Sequence, residues 1–296
     1  MSTIEKALNA MKAANKAKQE KGIVQPAEAP VPEQQETTQT QLVIDQDMLA
    51  AKGMVTDSRK SRQIREEYRN IKLKLLSNAF GPAKDSHPNG NLIMVSSANP
   101  SEGKTFTAIN LALSIALEQD KTVLLVDADV LKPSVMKTLD LDRKPGLIEF
   151  LLGEKESVGE VIYPTNIDKL RIMPAGMPHD LSNELLTSEK MAALADELAK
   201  RYSDRVVVFD CPPLLGINET KVMSRLVGQA LIVVEQDKTK IAQASAAIEE
   251  LNRDLALGFV INKAVRGAFS QYGYGYGYGY GYGYGDRDDD RQAGQQ

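Results

Sequence analysis

Eight consecutive residues, Ala98-Asn99-Pro100-Ser101-Glu102-Gly103-Lys104-Thr105, depart from the phosphate-loop pattern G-x-x-x-x-G-K-[ST] only by alanine at the first glycine. A loop of this kind ahead of a helix can hold a polyphosphate, because the first turn of the helix offers free N–H groups and the positive end of its dipole. Gly103 permits close backbone approach, Lys104 reaches the β- and γ-phosphates, and the Thr105 hydroxyl suits Mg²⁺. Three carboxylates stand at the ends of apolar runs further on: Asp127 and Asp129 in VLLVDADVLKP, and Asp210 in VVVFDCPPL. Mg²⁺ takes oxygen ligands and keeps several waters, so Thr105 with Asp127 and Asp210 would suffice to hold it. Asp127 and Asp129 are also candidates to accept a proton from an incoming nucleophile. An isolated Asp at a strand end is often only a cap; three of them beside a phosphate loop argue for one crevice.

A supply of nucleophiles lies at the other end of the chain. Tyr272, Tyr274, Tyr276, Tyr278, Tyr280, Tyr282 and Tyr284 alternate strictly with glycine, whereas the preceding 271 residues contain three tyrosines. Glycine on every second position removes one face of any strand and maximises the entropy lost on ordering, so residues 267–296 read as a disordered tail displaying phenolic hydroxyls.

The elements that must position these groups follow from hydrophobic patterning. LIMVSS, TVLLVD, KLRIMPAG, RVVVFD, ALIVVE and LGFVIN read as buried strands at 92–97, 122–127, 169–176, 205–210, 230–235 and 257–262. Helical stretches at 104–119, 184–200 and 239–253 separate several of them, which predicts an α/β domain, a P-loop NTPase with a largely parallel β-sheet flanked by helices. Ligands of such sheets bind beyond the carboxyl ends of the strands, and Asn262, ending the last strand, is placed to contact an adenine. A further helix over about 60–78 points Ile64, Tyr68, Ile71 and Leu75 inward, so Tyr68 faces the core. Residues 1–21 read as a short amphipathic N-terminal helix, 22–58 as a disordered linker rich in acid, Pro and Gln, and 59–266 as the catalytic domain.

No apolar run approaches the roughly 20 residues that span a bilayer, and the lysine-rich N-terminus does not suit a signal peptide. The expected location is cytoplasmic. One cysteine, Cys211, permits no internal disulfide, and two histidines are too few for a zinc site of the usual kind. Cys211 reads as a buried small residue and His179 as a loop residue.

The phosphate loop, DAD after one strand, DCPP after another, PAG followed by NELLTSEKM, and the tyrosine cluster together resemble the bacterial protein-tyrosine kinases of capsule and exopolysaccharide synthesis, over about residues 60–285. Their fold is the deviant-Walker (MinD/ParA-like) type. The opening IEKAL is similar to the variety found beside exosortase-linked clusters. The resemblance implies ATP and Mg²⁺ as cofactors and autophosphorylation of the tail between subunits of a ring-like homo-oligomer. It further implies a transmembrane polysaccharide chain-length protein as activator, which would hold the chain peripherally at the inner face of the membrane. A cognate tyrosine phosphatase is implied too, and no nucleic acid.

Two motifs depart from the family pattern. The arginine expected after DAD is missing from Val130-Leu131-Lys132-Pro133, where Lys132 could supply the charge. The helix motif E-x-x-R-x-x-R, an oligomer contact in the family, reads Glu66, Arg69 and Lys72 here, on side chains that periodicity places largely off the apolar stripe; lysine lacks arginine's planar fork. Two other readings stay open on sequence alone: an ATP-driven dimerisation switch like the division-site and plasmid-partition ATPases, and an inactive scaffold. The switch proteins carry an extra lysine early in the loop, where Asn99 stands, and have no use for seven tail tyrosines.

Overall fold

The computed structural model describes residues 40–265, apart from residues 83, 203 and 250 and the side chain of Lys60. The N-terminal helix expected at 1–21, the first part of the linker and the tyrosine tail lie outside the described residues.

Seven strands, β1 (Leu92–Ser97), β2 (Thr122–Asp127), β3 (Tyr163–Pro164), β4 (Leu170–Met173), β5 (Arg205–Asp210), β6 (Gln229–Glu235) and β7 (Ala256–Asn262), form one sheet in the order β3-β4-β2-β5-β1-β6-β7. All neighbours are parallel except β3 with β4. Nine α-helices are described: α1 (Gln46–Ala51), α2 (Arg62–Phe80), α3 (Lys104–Ala116), α4 (Val135–Thr138), α5 (Leu147–Leu152), α6 (Ser182–Leu186), α7 (Glu189–Lys200), α8 (Asn218–Met223) and α9 (Ile241–Glu249).

The strands read as unbroken apolar runs because both faces of the sheet are covered. Ile93, Val95, Leu125 and Val208 pack with Tyr68 and Leu75 of α2 and with the apolar side of α3. Their sequence neighbours Leu92, Met94, Leu124 and Val207 turn to the other face, against α5, α7 and α8. The edge strand β7 is different: Leu257, Phe259 and Ile261 stand exposed in alternation.

The structure corrects three expectations. The stretch 184–200 is two helices, with the Ser188 hydroxyl capping α7 at the Met191 N–H. The sequence reading missed β3. Most importantly, residues 40–58 are not linker. Leu42, Ile44, Leu49, Met54 and Val55 are buried in the core beneath α2 and α3. Leu42 bridges Thr165, and Asn166 clasps Ile44, its Oδ1 accepting from the N–H at 2.8 Å and its Nδ2 donating to the carbonyl at 3.0 Å.

Candidate active site

β1, β2 and β5 are adjacent in the sheet, so their carboxyl ends bring residues 98–105, Asp127 and Asp210 to one mouth. The chain passes from β1 into α3 through two left-handed residues, Ser101 (φ +66°) and Gly103 (φ +98°). The left-handed φ favours glycine at 103, and a Cβ there would lie 1.9 Å from the Asn262 Nδ2 and displace that amide.

The loop is fastened from within. The buried Glu102 carboxylate accepts from the Asn99 N–H at 2.9 Å and from the Asn99 Nδ2 at 2.9 Å, and takes a short bond from the Thr239 hydroxyl. Asn262 Nδ2 donates to the Glu102 carbonyl at 2.8 Å, and Lys263 Nζ to the Ser101 carbonyl at 2.8 Å. Glu102, which the motif leaves as an unspecified x, is thus the loop's internal anchor. Asn262, expected at an adenine, has its amide on the loop backbone.

Around this loop the charges are dense. Lys104 Nζ lies 2.6 Å from Asp129 Oδ2 and 3.6 Å from Asp210 Oδ1, all three side chains being buried. Burial alone would lower the lysine's proton affinity; Asp210, Asp129 and Asp127 outweigh it and hold Lys104 charged. The Thr105 hydroxyl donates to Asp210 Oδ2 at 2.6 Å and lies 2.7 Å from the Ser134 hydroxyl. Asp127 accepts the N–H groups of Ser134 and Val135 at 3.0 Å each, so it also shapes the turn into α4. Burial, then the charge of Asp210, pushes the Asp127 carboxyl far above its usual range. Burial raises Asp210 as well, against the pull of Lys104. Ser134 is a member that the sequence reading missed; it follows DAD by five residues in a segment with no motif of its own.

The candidate oligomer residues separate. Glu66 and Arg69 are exposed on α2 and pair at 3.6 Å. Lys72 does not lie off the apolar stripe as periodicity suggested: it is buried, donating to the Ser114 carbonyl at 2.7 Å and pairing with Glu118 at 2.6 Å. Its flexible stem carries the charge over α3 to that helix's free carbonyls. Tyr68 is buried, and burial pushes its hydroxyl up to about 12. Cys211 is buried with its thiol held well above the ordinary value. The tail tyrosines, Tyr272 to Tyr284, lie outside the described residues.

Fit to Mg²⁺ and ATP can be judged from the side chains themselves. Among the described residues Asp210 Oδ1 is a fully buried acceptor with no hydrogen bond, with Lys104 Nζ 3.6 Å away and a hydroxyl and a second carboxylate nearby. That is an all-oxygen donor set suited to a hard cation. With Lys104 and the glycine turn at the start of a helix, the fold and site define a P-loop nucleotide-binding protein.

The AAA domain family matches residues 90–253. The chain is 34% identical over 183 residues to the tyrosine-protein kinase YwqD of Bacillus subtilis (strain 168), covering 61% of this chain and 76% of that protein. It is 32% identical over 185 residues to the tyrosine-protein kinase ptk of Acinetobacter johnsonii, covering 62% of this chain but only 25% of that longer protein. Among solved structures, the kinase domain of the Escherichia coli tyrosine kinase ETK aligns with TM-score 0.63 and 25% identity, over 75% of this chain and 84% of that one. The chain belongs to the bacterial tyrosine-protein kinase family, on an AAA-type P-loop domain.

Proposed function

We propose that this chain is an ATP-dependent protein-tyrosine kinase that phosphorylates its own tail, at tyrosines between Tyr272 and Tyr284, from one subunit of a ring-like homo-oligomer to the next. The observation that carries the reading is the convergence of Lys104, Thr105, Asp127, Asp129 and Asp210 at one mouth, in a chain with seven tyrosines on a glycine run. Residues 98–105 hold the phosphates, with Asn262 keeping the loop in shape at the nucleotide side. Thr105, Asp210 and Asp127 hold Mg²⁺, which neutralises charge on the transferring phosphate when bound.

The residues divide the remaining work. Lys104 supplies a fixed positive charge for the β- and γ-phosphate oxygens. A tail tyrosine, protonated at neutral pH, is oriented so that its oxygen bonds to the γ-phosphorus as the bond to the β–γ bridging oxygen breaks and ADP departs. Asp127, ionised once Mg²⁺ stands beside it, would take the phenolic proton. Catalysis is mainly positioning and charge stabilisation, as phosphoryl transfer requires.

Phosphorylation is a charge switch on assembly. Each phosphotyrosine adds about 1.5 to 2 negative charges, so seven add about 10 to 14, against a formal charge of −4 for the whole chain. Exposed Glu66 and Arg69 on α2 are the proposed subunit contact, with Lys72 supporting their helix from behind. Repulsion between filled tails then loosens the ring, and a cognate phosphatase resets it. Through this cycle the kinase regulates polymerisation, chain length or export of an exopolysaccharide. Among the described residues no helix is long and apolar enough to cross a membrane; a transmembrane chain-length partner, as the family resemblance implies, recruits the chain to the inner face of the membrane.

Mapping phosphotyrosine after incubation with Mg·ATP tests the activity: Lys104→Met should lose the label while keeping its circular dichroism, and undiminished labelling would overturn the assignment. Mixing a Lys104→Met chain with an active chain lacking its tail tests direction. Label on the inactive chain is expected; its absence would rule out transfer between subunits.

A further inference from the structure

A cavity of about 310 Å³ is lined by Asp127 but by no residue of the phosphate loop. Its volume falls at the lower end of the range that takes small ligands, roughly 300–1,000 Å³. Met136, Leu141 and Pro174 give it apolar walls, and Lys137, Arg143 and Lys144 bring three cations to it, against Asp142 and Asp127. None of the three cations has an ion pair or side-chain hydrogen bond among the described residues.

The walls are built rather than incidental. The Glu149 carboxylate is buried and accepts from the Gly146 N–H at 2.6 Å and the Met177 N–H at 2.8 Å, joining the loop before α5 to the loop after β4. Leu147 N–H donates to the Pro174 carbonyl at 2.8 Å, and Tyr163 Oη to the Pro145 carbonyl at 3.1 Å. The two loops approach so closely that a Cβ on Gly146 would lie 1.9 Å from the Pro174 oxygen.

A cavity with apolar walls and a carboxylate in its lining suits a phenol, and cations in the same lining suit a phenol with an anion nearby in its own chain. The tail has such anions on one side only. Lys263 and Arg266 precede the tyrosine run with no acid between them and Tyr272, whereas Asp286 and Asp288 to Asp290 follow it. Asp286 stands two residues beyond Tyr284, the same spacing that separates each tyrosine from the next. In an extended segment, residues two apart project to the same side about 7 Å from one another.

We propose that this cavity seats the acceptor tyrosine and that Lys137, Arg143 and Lys144 read a negative charge two residues C-terminal to it, so that phosphorylation begins at Tyr284 and proceeds towards Tyr272. The inference rests on the tyrosine-kinase reading of the site. Asp286 primes the first transfer. Each transfer then converts a tyrosine into a phosphate ester, forming its Oη–P bond as ADP leaves and the phenolic proton passes to Asp127. The new phosphate stands where Asp286 stood, relative to the next acceptor. Glycine at the intervening positions lets the segment step by two residues without a side chain to clear from the slot.

A quenched time course of the full chain with Mg·ATP, read by site-resolved mass spectrometry, tests the order. Tyr284 should fill first and Tyr272 last, and Asp286→Asn should slow the first event several-fold and scatter the sites. Phosphate that starts at Tyr272 or is scattered in the wild-type chain overturns this inference alone; a wild-type chain with no phosphotyrosine overturns the kinase reading beneath it. A second measurement needs no variant: a peptide with Gly-phosphotyrosine after its acceptor tyrosine should show a KM about tenfold below that of the same peptide with Gly-Asn, three exposed charge pairs each contributing roughly a factor of two. Equal KM values would overturn the proposal. In Lys137→Gln/Arg143→Gln/Lys144→Gln the preference should vanish, and a preference that persists there would place the reader elsewhere.

Discussion

The two walls of the proposed catalytic mouth are constructed on opposite principles. On the phosphate side nearly every polar group is committed internally: Glu102 to Asn99 and Thr239, Asn262 to the Glu102 carbonyl, Lys263 to the Ser101 carbonyl. On the other side a clamped backbone presents Lys137, Arg143 and Lys144 without partners among the described residues. A nucleotide's phosphates have one shape and one charge, so a wall set in advance lowers the reorganisation needed during transfer. Successive tyrosines of the repetitive tail differ in what flanks them, and under the proposal a wall of free charges takes each in turn.

The contrast predicts how the walls fail. Loss of the charge at their junction has the largest effect: Lys104→Met should reduce tail phosphorylation by at least about a hundredfold, the scale for deleting one preorganised electrostatic donor, measured as an initial rate with Mg·ATP. A residual rate within a few-fold of wild type would mean that the buried Lys104–Asp129 pair is only structural. Next comes the anchor of the phosphate wall. Glu102→Gln places an amide NH₂ where three donors converge, and leaving buried partners unsatisfied costs about 1–3 kcal/mol. If the loop is set in advance, nucleotide affinity should fall on the order of tenfold, read by titration with a fluorescent ATP analogue. Unchanged affinity would mean that the bound nucleotide itself sets the loop, and the contrast between the walls would then dissolve.

The phosphate wall was legible because its requirements are local: a strand, a left-handed turn through Gly103, then Lys104 and Thr105 opening a helix. β1, β2 and β5 match the sequence reading residue for residue, since strands covered on both faces leave an unbroken apolar signature. What failed depends on distant partners. Residues 40–58 look like linker in composition, yet Leu42 and Ile44 find Thr165 and Asn166, and the Val55 N–H finds the Asn110 Oδ1 at 2.7 Å. No local period encodes such pairings. Lys72 misled for another reason: periodicity gives the direction of a Cβ, and a lysine stem can carry its charge elsewhere. The proposed acceptor wall has no motif either, because Lys137 stands on α4 while Arg143 and Lys144 stand on the loop that Glu149 fastens at Gly146.

The smallest expected effect separates the walls by pH. In the folded chain burial, then Asp210, pushes the Asp127 carboxyl up to about 8 from its ordinary 3.8. Across that window the folded state keeps a proton that the unfolded chain releases, so stability falls as pH rises. Without nucleotide and with a chelator present, the melting temperature should be a few degrees lower at pH 8 than at pH 6, as expected for a change of about 1 kcal/mol in a domain of this size. Asp127→Asn removes the group and should flatten that difference, leaving only what the rest of the chain contributes. Equal slopes in the two proteins would show that Asp127 is ionised throughout the range, steadied by the N–H groups of Ser134 and Val135 and by Lys104. The carboxylate of the proposed acceptor wall would then be set in advance as firmly as the phosphate wall, and the difference between the two would rest on Lys137, Arg143 and Lys144 alone.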